Sequence, residues 1–245
     1  MAAALVVLVS IAVWEAVVRI GDVEELLVPA PSAVGRSLVE DAHILAPDLL
    51  VTTLETLLGL GVSVVAGAAI AVAMHLSGFV RRALHPLVVG SQAIPIVVLA
   101  PVLILVLGFG IGPKVVVIAL VCFFPVTINL FDGLRAADAD QRKLLRALHA
   151  TRWQTLRFLE APAALPQAFT GLKIAAAVAV IGAVFAEWTG SSEGLGHLLL
   201  TAGGQLETAR VFAATFLLFL LSITLYGLVA LAERRLVTWT DPGAP

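Results

Sequence analysis

Residues 135–167 read RAADADQRKLLRALHATRWQTLRFLEAPAALPQ and form the longest strongly polar run in a chain that is otherwise mostly apolar. Its basic residues are Arg135, Arg142, Lys143, Arg146, Arg152 and Arg157. Apolar side chains recur between them at helical spacing: Leu144, Leu145, Leu148, Trp153, Leu156 and Leu159. A segment with this charge cannot cross a bilayer, and its amphipathic pattern is typical of a helix rather than a tether. The pattern predicts a short helical module at one membrane surface, offered to a partner.

The composition places the rest of the chain in a membrane. Hydrophobic residues make up 60% of the sequence and charged residues 13%, whereas soluble domains are about a quarter charged. The mean hydropathy is +1.04. Because the apolar runs are continuous rather than alternating, we expect an all-α polytopic fold with about six spans. The net charge of −2 provides no basic surface for nucleic acid, and the single cysteine excludes a disulfide within the chain and a thiolate metal cluster.

Six apolar runs are long enough to be transmembrane helices. They cover residues 2–20, 49–74, 86–107, 115–134, 168–188 and 211–232. The first competes with a signal peptide, but a signal peptide begins with positive charge and the first charge here is Glu15. The missing positive charge also indicates that the true start could lie upstream. We expect one transmembrane domain over residues 1–245, with its core at 49–235 and the module at 135–167.

Small residues at every fourth position give two of these runs a close-packing face. They are Gly59, Ser63, Gly67 and Ala71 in the second run, and Gly171, Ala175, Ala179 and Ala183 in the fifth. Pro95 and Pro101 predict kinks in the third run, because proline frees backbone carbonyls. The polar segment 21–48 is predicted to hold a surface helix capped by Ser32. The tail from Val237 is expected to be unstructured.

The placement of lysine and arginine predicts the orientation. Most of them lie on the side of the module, and the other side has Arg19, Arg36, Lys114 and Arg210. The positive-inside rule therefore places the module and both termini in the cytoplasm. Residues 108–114, GFGIGPK, are interpreted as a tight outer turn. Pro113 and Val115 on either side of Lys114 exclude a phosphate loop of the Walker type there.

Polar and kink-forming residues in the spans are candidates for lining a substrate pathway. They are Glu55, Ser91, Gln92, Pro95, Asn129 and Glu187. Ser91 and Gln92 precede the first kink, where hydrogen bonding between helices is the competing interpretation. Asn129 could equally face a pathway or cross-link helices. Glu55 lies about two turns into its span, and Glu187 lies at the outer end of the fifth span.

The remaining pattern disfavours several classes of protein. Charges cluster at span ends, whereas an ion-driven carrier keeps ionisable groups at mid-membrane. The five histidines lie in loops or at span edges, and none shares a helix face with a carboxylate at metal-ligand spacing. No nucleophile has a base near it in sequence. The residues predict a chain that does not catalyse, binds no cofactor or metal, and takes any energy for active transport from a partner.

The module resembles the cytoplasmic loop of the membrane subunits of bacterial ABC importers. That loop begins with Glu-Ala-Ala, contains a Gly and closes on Leu-Pro. Alignment on Trp153 and Gln154 places these elements on residues 143–145, on His149 and on residues 161–162. His149 departs most from the pattern, because the loop turns at this position and only Gly reaches φ > 0 freely.

Other short motifs extend the resemblance over nearly the whole chain. They are VPAPSAV (28–34), SQAIP (91–95), GFG (108–110), FFP (123–125), DGL (132–134), ALP (164–166), GLK (171–173), AEW (186–188) and GLG (194–196). Their order and spacing resemble the nitrate, sulfonate and taurine branch of the importer permeases. Within it, the chain is most similar to permeases assigned to pyrimidine precursors of thiamine, with riboflavin permeases close behind.

The resemblance implies the type I importer permease fold in a bacterial plasma membrane. It also implies a second permease copy, most economically an identical one, two cytoplasmic ATPases that bind the ATP, and an external binding protein. That protein would dock on residues 21–48 and 189–210 and set selectivity. The residues implied to couple to the ATPase are Lys143, Leu144, Leu145, Arg146, Leu148, His149, Trp153, Leu156, Leu159 and Pro162. The alternatives are the same role for sulfonate, taurine, nitrate or riboflavin, and an ion-gradient-driven carrier.

Overall fold

The computed structural model describes the backbone of residues 2–239 and the side chains of residues 5–239. Helices make up nearly all of the described chain, and no strand occurs within it. The helices are α1 (Ala2–Ile20), α2 (Pro31–Glu40), α3 (Ala42–Leu76), α4 (Gly78–Gly90), α5 (Ile96–Leu107), α6 (Ile111–Arg135), α7 (Ala139–Ala147), α8 (Arg152–Thr155), α9 (Ala161–Gly190), α10 (Leu195–Gly204) and α11 (Thr208–Leu236). A 3₁₀ turn covers Ser91–Ala93, and a π-helical turn, Leu156–Glu160, joins α8 to α9. The prediction of an all-α membrane fold is confirmed.

Four helical segments of the described chain are long and apolar enough to cross a membrane. They are α3, α6, the continuous segment Arg152–Gly190 and α11. The pair formed by Gly78–Ala93 and Ile96–Leu107 would make a fifth span if it is counted as one. The predicted number of about six is therefore approximate. The first predicted run forms α1.

The third predicted span is not one kinked helix. The segments on either side of residues 94–95 are bent by 106°, which is far sharper than a proline kink. Pro95 precedes α5 in an extended conformation, and the Ser91 hydroxyl donates a hydrogen bond to the carbonyl of Val88 (2.7 Å) at the end of α4. Pro101 lies inside α5 without ending it. The helix is therefore interrupted at Pro95 and continues through Pro101.

Small residues bring α3, α6 and α9 into close contact, as predicted. All eight residues of the two small faces are buried. A β-carbon on Gly59 would lie 2.5 Å from the Ile118 side chain, and one on Gly171 would lie 2.7 Å from the β-carbon of Asn129. Backbones approach this closely only where one side chain is absent. These three helices form the core against which α10 and α11 pack.

Helix α2 lies on the surface, but its predicted cap is wrong. Ala30 occupies the N-cap position and Pro31 the first helical position. The Ser32 backbone N–H and hydroxyl instead donate to the Glu15 carboxylate of α1 (3.0 and 2.8 Å). Pro31 is favoured there because its missing N–H would be unpaired in any case. Residues 237–239 have no regular structure, although Val237 is buried, and the remainder of the tail, 240–245, lies outside the described residues.

Candidate functional site

The structure has two polar regions, one at each end of the helix bundle. We call the end that includes residues 135–160 the module side and the other end the far side. At the far side, Glu55 of α3, Lys114 of α6 and Glu187 of α9 are buried, with 3%, 7% and 0% of their surface exposed. The Lys114 ammonium donates to the Glu55 carboxylate (2.6 Å) and to the Ser191 hydroxyl (2.6 Å). We call these residues, with Thr52, the far-side cluster.

Glu187 holds the start of α10 against the core. Its carboxylate accepts hydrogen bonds from the Thr52 hydroxyl (2.7 Å) and from the Gly196 N–H (2.5 Å). The Thr52 hydroxyl accepts in turn from the Leu195 N–H (2.9 Å), and Asp48 accepts from the Gly194 N–H (2.8 Å). The first turn of a helix has N–H groups without helical partners, and here α3 and α9 satisfy three of them.

A cavity of about 680 Å³ opens beside the far-side cluster. Glu55, Lys114 and Ser191 contribute its polar wall, and Phe109 and Leu54 contribute apolar surface. One Glu55 oxygen is buried without a hydrogen-bond partner among the described residues. Ser192 and Glu193 also line the cavity and are exposed, so it offers acceptor oxygens and a paired cation next to apolar surface, which suits a small polar solute. No group of three or more histidine, cysteine or acidic side chains that could hold a metal occurs in the described part of the chain.

Sequence reasoning misplaced Lys114. Segment 108–114 is not all turn, because α6 already begins at Ile111 and only Gly108 and Gly110 have positive φ angles (81° and 124°). Lys114 therefore lies in the first turn of a span and points into the protein, where Glu55 neutralises it. The expectation that charges cluster at span ends therefore overlooked Lys114 as the buried partner of Glu55. The signal available in the sequence was Glu55, an oppositely charged residue inside another apolar run.

The structure brings together only two of the predicted pathway residues, Glu55 and Glu187. Ser91, Gln92 and Pro95 lie at the bend between α4 and α5. The Asn129 amide donates to the Pro125 carbonyl of its own helix (2.8 Å), which is neither of the two contacts considered for it. A role for these residues in a pathway stays a prediction.

We expect Lys114→Met to destabilise the protein by about 3–5 kcal/mol, because it leaves Glu55 buried without its cation. Thermal and denaturant unfolding in detergent would measure the loss. Lys143→Met is the matched control, since the exposed Lys143–Asp140 pair contributes at most about 1 kcal/mol. The double variant Glu55→Gln with Lys114→Met should regain part of the stability. An unchanged unfolding midpoint for Lys114→Met would contradict the proposed pairing.

At the module side, capping bonds define two short helices. The Asp138 carboxylate accepts from the N–H groups of Gln141 (2.9 Å) and Asp140 (2.8 Å) at the start of α7. These bonds hold the pKa of the Asp138 carboxyl below its usual range. Thr151 and Gln154 form a reciprocal capping box at the start of α8. The T-x-x-Q spacing was a signal that sequence reasoning missed.

The turn between α7 and α8 lies at His149, the position that the resemblance assigned to Gly. His149 has a φ of +58°. The His149 N–H bonds to the carbonyl of Arg146 (3.0 Å) and the Ala150 N–H to that of Leu145 (2.9 Å), which is the Schellman pattern of a helix end. The turn is therefore present although histidine replaces the residue best suited to it.

Apolar side chains of the module form an exposed face. Leu144, Leu148, Trp153 and Phe158 are each more than 60% exposed, and Phe158 was missed from the sequence. Leu156 is only 5% exposed and packs with Leu134 and Ala164, so its interpretation as part of the exposed face is wrong. Leu145, Leu159 and Pro162 are half-buried, and Lys143, Arg146 and His149 are exposed. Their contact with an ATPase stays a prediction.

Glu160 in the π-helical turn anchors the module to the spans. Its carboxylate accepts from Arg142 of α7 (2.8 Å) and pairs with His75 of α3 (2.7 Å). Arg152 donates to the carbonyl of Leu76 (2.9 Å) at the end of α3. These bonds attach the module to the end of α3. Sequence reasoning did not single out Glu160, whose partners are distant in sequence.

We expect His149→Gly to stabilise the protein by up to about 1 kcal/mol, because Gly adopts a positive φ without strain. His149→Val should destabilise it by about 1 kcal/mol or more, since a β-branched residue is poorly tolerated there. The measurement is the unfolding midpoint in detergent. His149→Asn, which also tolerates this conformation, is the control and should change little. A stability order in which Val matches Gly would contradict the assigned turn.

Comparison with known proteins adds to this geometry. The family model described as "Binding-protein-dependent transport system inner membrane component" matches residues 63–238. A probable ABC transporter permease protein of Haemophilus influenzae is 37% identical, over 91% of either chain. A formylaminopyrimidine transport permease of Halalkalibacterium halodurans is 36% identical over 95% of this chain and 93% of its own. A riboflavin transport system permease of Chloroflexus aurantiacus is 41% identical over 66% of this chain and 60% of its own.

Solved structures share the fold. The crystal structure of an amino acid ABC transporter with histidines matches with a TM-score of 0.67 and 18% identity, covering 81% of this chain and 97% of that one. An inward-facing MetNI methionine ABC transporter matches with a TM-score of 0.66 and 19% identity, over 82% and 97% of the two chains. At these identities the likeness shows the fold alone, which is that of type I importer permeases.

Proposed function

The chain belongs to the family of binding-protein-dependent transport system inner membrane components, and from that premise we propose that it forms the membrane pathway for a pyrimidine precursor of thiamine. Its role as a permease subunit of an ABC importer in the inner membrane follows from the family. The observation that carries the proposal is the match to the formylaminopyrimidine permease over nearly the full length of both chains.

The far-side cluster supports an uncharged solute. Its buried cation, Lys114, is already neutralised by Glu55, so the cavity beside it has no spare positive charge for a sulfonate or nitrate. The exposed Ser192 hydroxyl and Glu193 carboxylate in the cavity wall are acceptors for an amino group on a heterocycle. Apolar surface from Phe109 and Leu54 suits the face of a ring. These features favour an aminopyrimidine over an anion.

ATP hydrolysis is assigned to separate ATPase subunits. The exposed apolar face of the module, Leu144, Leu148, Trp153 and Phe158, is a surface that another protein can cover. We infer that two ATPases bind it, one on each of two identical permease copies. On this model the module and both termini lie in the cytoplasm, and ATP-driven closure of the ATPases moves the module as a rigid body. An external binding protein docks on the far side.

Two alternatives are retained. The first alternative is the same importer role with sulfonate, taurine, nitrate or riboflavin as the solute. It is retained because permeases named for aliphatic sulfonates and for taurine are each 30% identical over at least 94% of this chain. The second is an ion-gradient-driven carrier, which the buried far-side charges would suit. Those charges are, however, bonded to one another and to the start of α10, which leaves few of them to couple to an ion.

The substrate is tested by uptake into vesicles that contain the permease with the ATPase and binding protein encoded beside it. We expect ATP-dependent uptake of labelled formylaminopyrimidine that unlabelled riboflavin, taurine or nitrate does not reduce. Uptake of one of those solutes instead would redirect the substrate assignment and leave the importer role intact. Uptake without ATPase, driven by an imposed proton or sodium gradient, would contradict the importer role itself.

We expect Leu144→Asp to separate ATP hydrolysis from uptake, because a charge at this exposed site disrupts an apolar contact with the ATPase without disturbing the core. Leu144 is 61% exposed. The expected loss is tenfold or more in uptake, corresponding to about 1.4 kcal/mol or more of lost contact energy, with unchanged thermal stability of the isolated permease. ATPase activity per complex and uptake are measured on the same vesicles.

The matched control is Leu236→Asp at the end of α11, which is 60% exposed and lies on the module side outside the proposed ATPase contact. It should leave both ATP hydrolysis and uptake unchanged. Leu156→Asp is unsuitable as a coupling variant because its side chain is buried and its replacement unfolds local packing. Normal uptake by the Leu144→Asp variant would rule out this face as the ATPase contact.

A further inference from the structure

A basic cavity of about 490 Å³ lies between the module and the ends of the spans. The arginines that line it are Arg81, Arg135, Arg142, Arg146 and Arg152, and its one acidic residue is Glu160. Both oxygens of Glu160 are already used, by Arg142 and by His75. The cavity therefore carries a large excess of positive charge.

Two of these arginines are committed to the fold. Arg142 donates to the carbonyls of Leu134 and Arg135 (3.0 and 3.1 Å) as well as to Glu160. Arg152 donates to the carbonyl of Leu76. Each thus satisfies carbonyls at the end of a span, where helix dipoles favour cations.

The other three arginines have no carboxylate partner among the residues that the structure describes. They come from three elements: Arg81 from α4, Arg135 from the end of α6 and Arg146 from α7. The Arg135 guanidinium lies 5.4 Å from the centre of the Phe131 ring. Like charges around one cavity repel each other. An anion bound between the three arginines attracts each of them and offsets their mutual repulsion. Planar guanidinium groups are suited to phosphate oxygens.

We propose that this cavity binds a phosphate group, supplied by the headgroup of an anionic phospholipid. The cavity lies where α3 and α6 end, which is the level of lipid headgroups. A second basic cavity of about 440 Å³ adjoins it and shares Arg81, Phe131 and Arg135. Beside both, α4 exposes Phe79 and Leu87, so an acyl chain can lie next to the bound headgroup.

The bound phosphate links the module to the spans through Arg81, Arg135 and Arg146. It therefore adds to the anchoring by Glu160 and stiffens the body that is proposed to carry ATPase motion. The site is separate from the far-side cavity, and its ligand is retained rather than transported. Its test requires neither the ATPase nor the binding protein, so failure of the lipid site and failure of the proposed transport function are distinguishable.

The experiment uses the full-length chain in nanodiscs of phosphatidylcholine, with or without phosphatidylglycerol. Lipid adducts are counted by native mass spectrometry, and thermal unfolding is followed in parallel. We expect one retained phosphatidylglycerol per chain and a higher unfolding temperature. Replacing two arginines, Arg81→Gln with Arg146→Gln, should weaken binding by about 25-fold, at roughly a factor of five for each.

Arg157→Gln and Arg234→Gln are the matched controls, because both arginines lie on the module side and neither lines the cavity. They should retain the lipid. Arg81→Lys with Arg146→Lys keeps the charge and should recover part of the binding, which separates loss of the site from misfolding. Retention of phosphatidylglycerol by the double Gln variant in nanodiscs would overturn the proposal.

Separate arms identify the source of the phosphate. Inorganic phosphate in phosphatidylcholine nanodiscs should stabilise the chain less than phosphatidylglycerol does. Equal stabilisation by inorganic phosphate, lost in the double Gln variant, would support the phosphate site with a free anion as its ligand. If chloride at the same ionic strength stabilises the chain equally, the effect is screening of the arginine charges rather than binding of phosphate, and the proposal is overturned.

Discussion

Inside a bilayer no water is present to satisfy polar groups, so each buried N–H, carbonyl and charge has to find its partner within the protein. Two charged side chains of the far-side cluster show how this constraint is met. Lys114 is buried only because Glu55 and Ser191 receive its hydrogen bonds. Glu187 is fully buried because the Thr52 hydroxyl and the Gly196 N–H donate to it. Removing one member of such a set leaves the others in apolar surroundings, which is why the sets are costly to break.

The same constraint joins the two ends of the molecule through α9. Glu160 precedes this helix and fixes the module, whereas Glu187 near its other end fixes the start of α10. The intervening turns pack through Gly171 and small alanines against α6 and α3. A closely packed helix transmits displacement rather than absorbing it. Movement of the module would therefore reach the far-side cluster.

The sequence predicted features that depend on local pattern. The small faces of α3 and α9 and the amphipathic module follow from spacing along the chain, whereas the turn at His149 was expected only from the family resemblance. It could not predict partners that are far apart in sequence, such as Lys114 with Glu55 or Glu160 with His75. The error at Leu156 has a local cause. The module is not one helix, because the turn at His149 separates α7 from α8, so a face extrapolated at 3.6 residues per turn across that turn is misassigned at Leu156.

The fold by itself does not determine what is transported. Structures of transporters named for amino acids and methionine share it at TM-scores of 0.67 and 0.66, and relatives named for formylaminopyrimidine, riboflavin and taurine share the family. In this chain most of the buried polar atoms are committed to holding helices together. Ser192 and Glu193 are exposed at the far-side cavity and are groups that remain for a solute. A permease with so few uncommitted groups can offer a passage with weak preferences, and tight discrimination then has to come from the protein that delivers the solute.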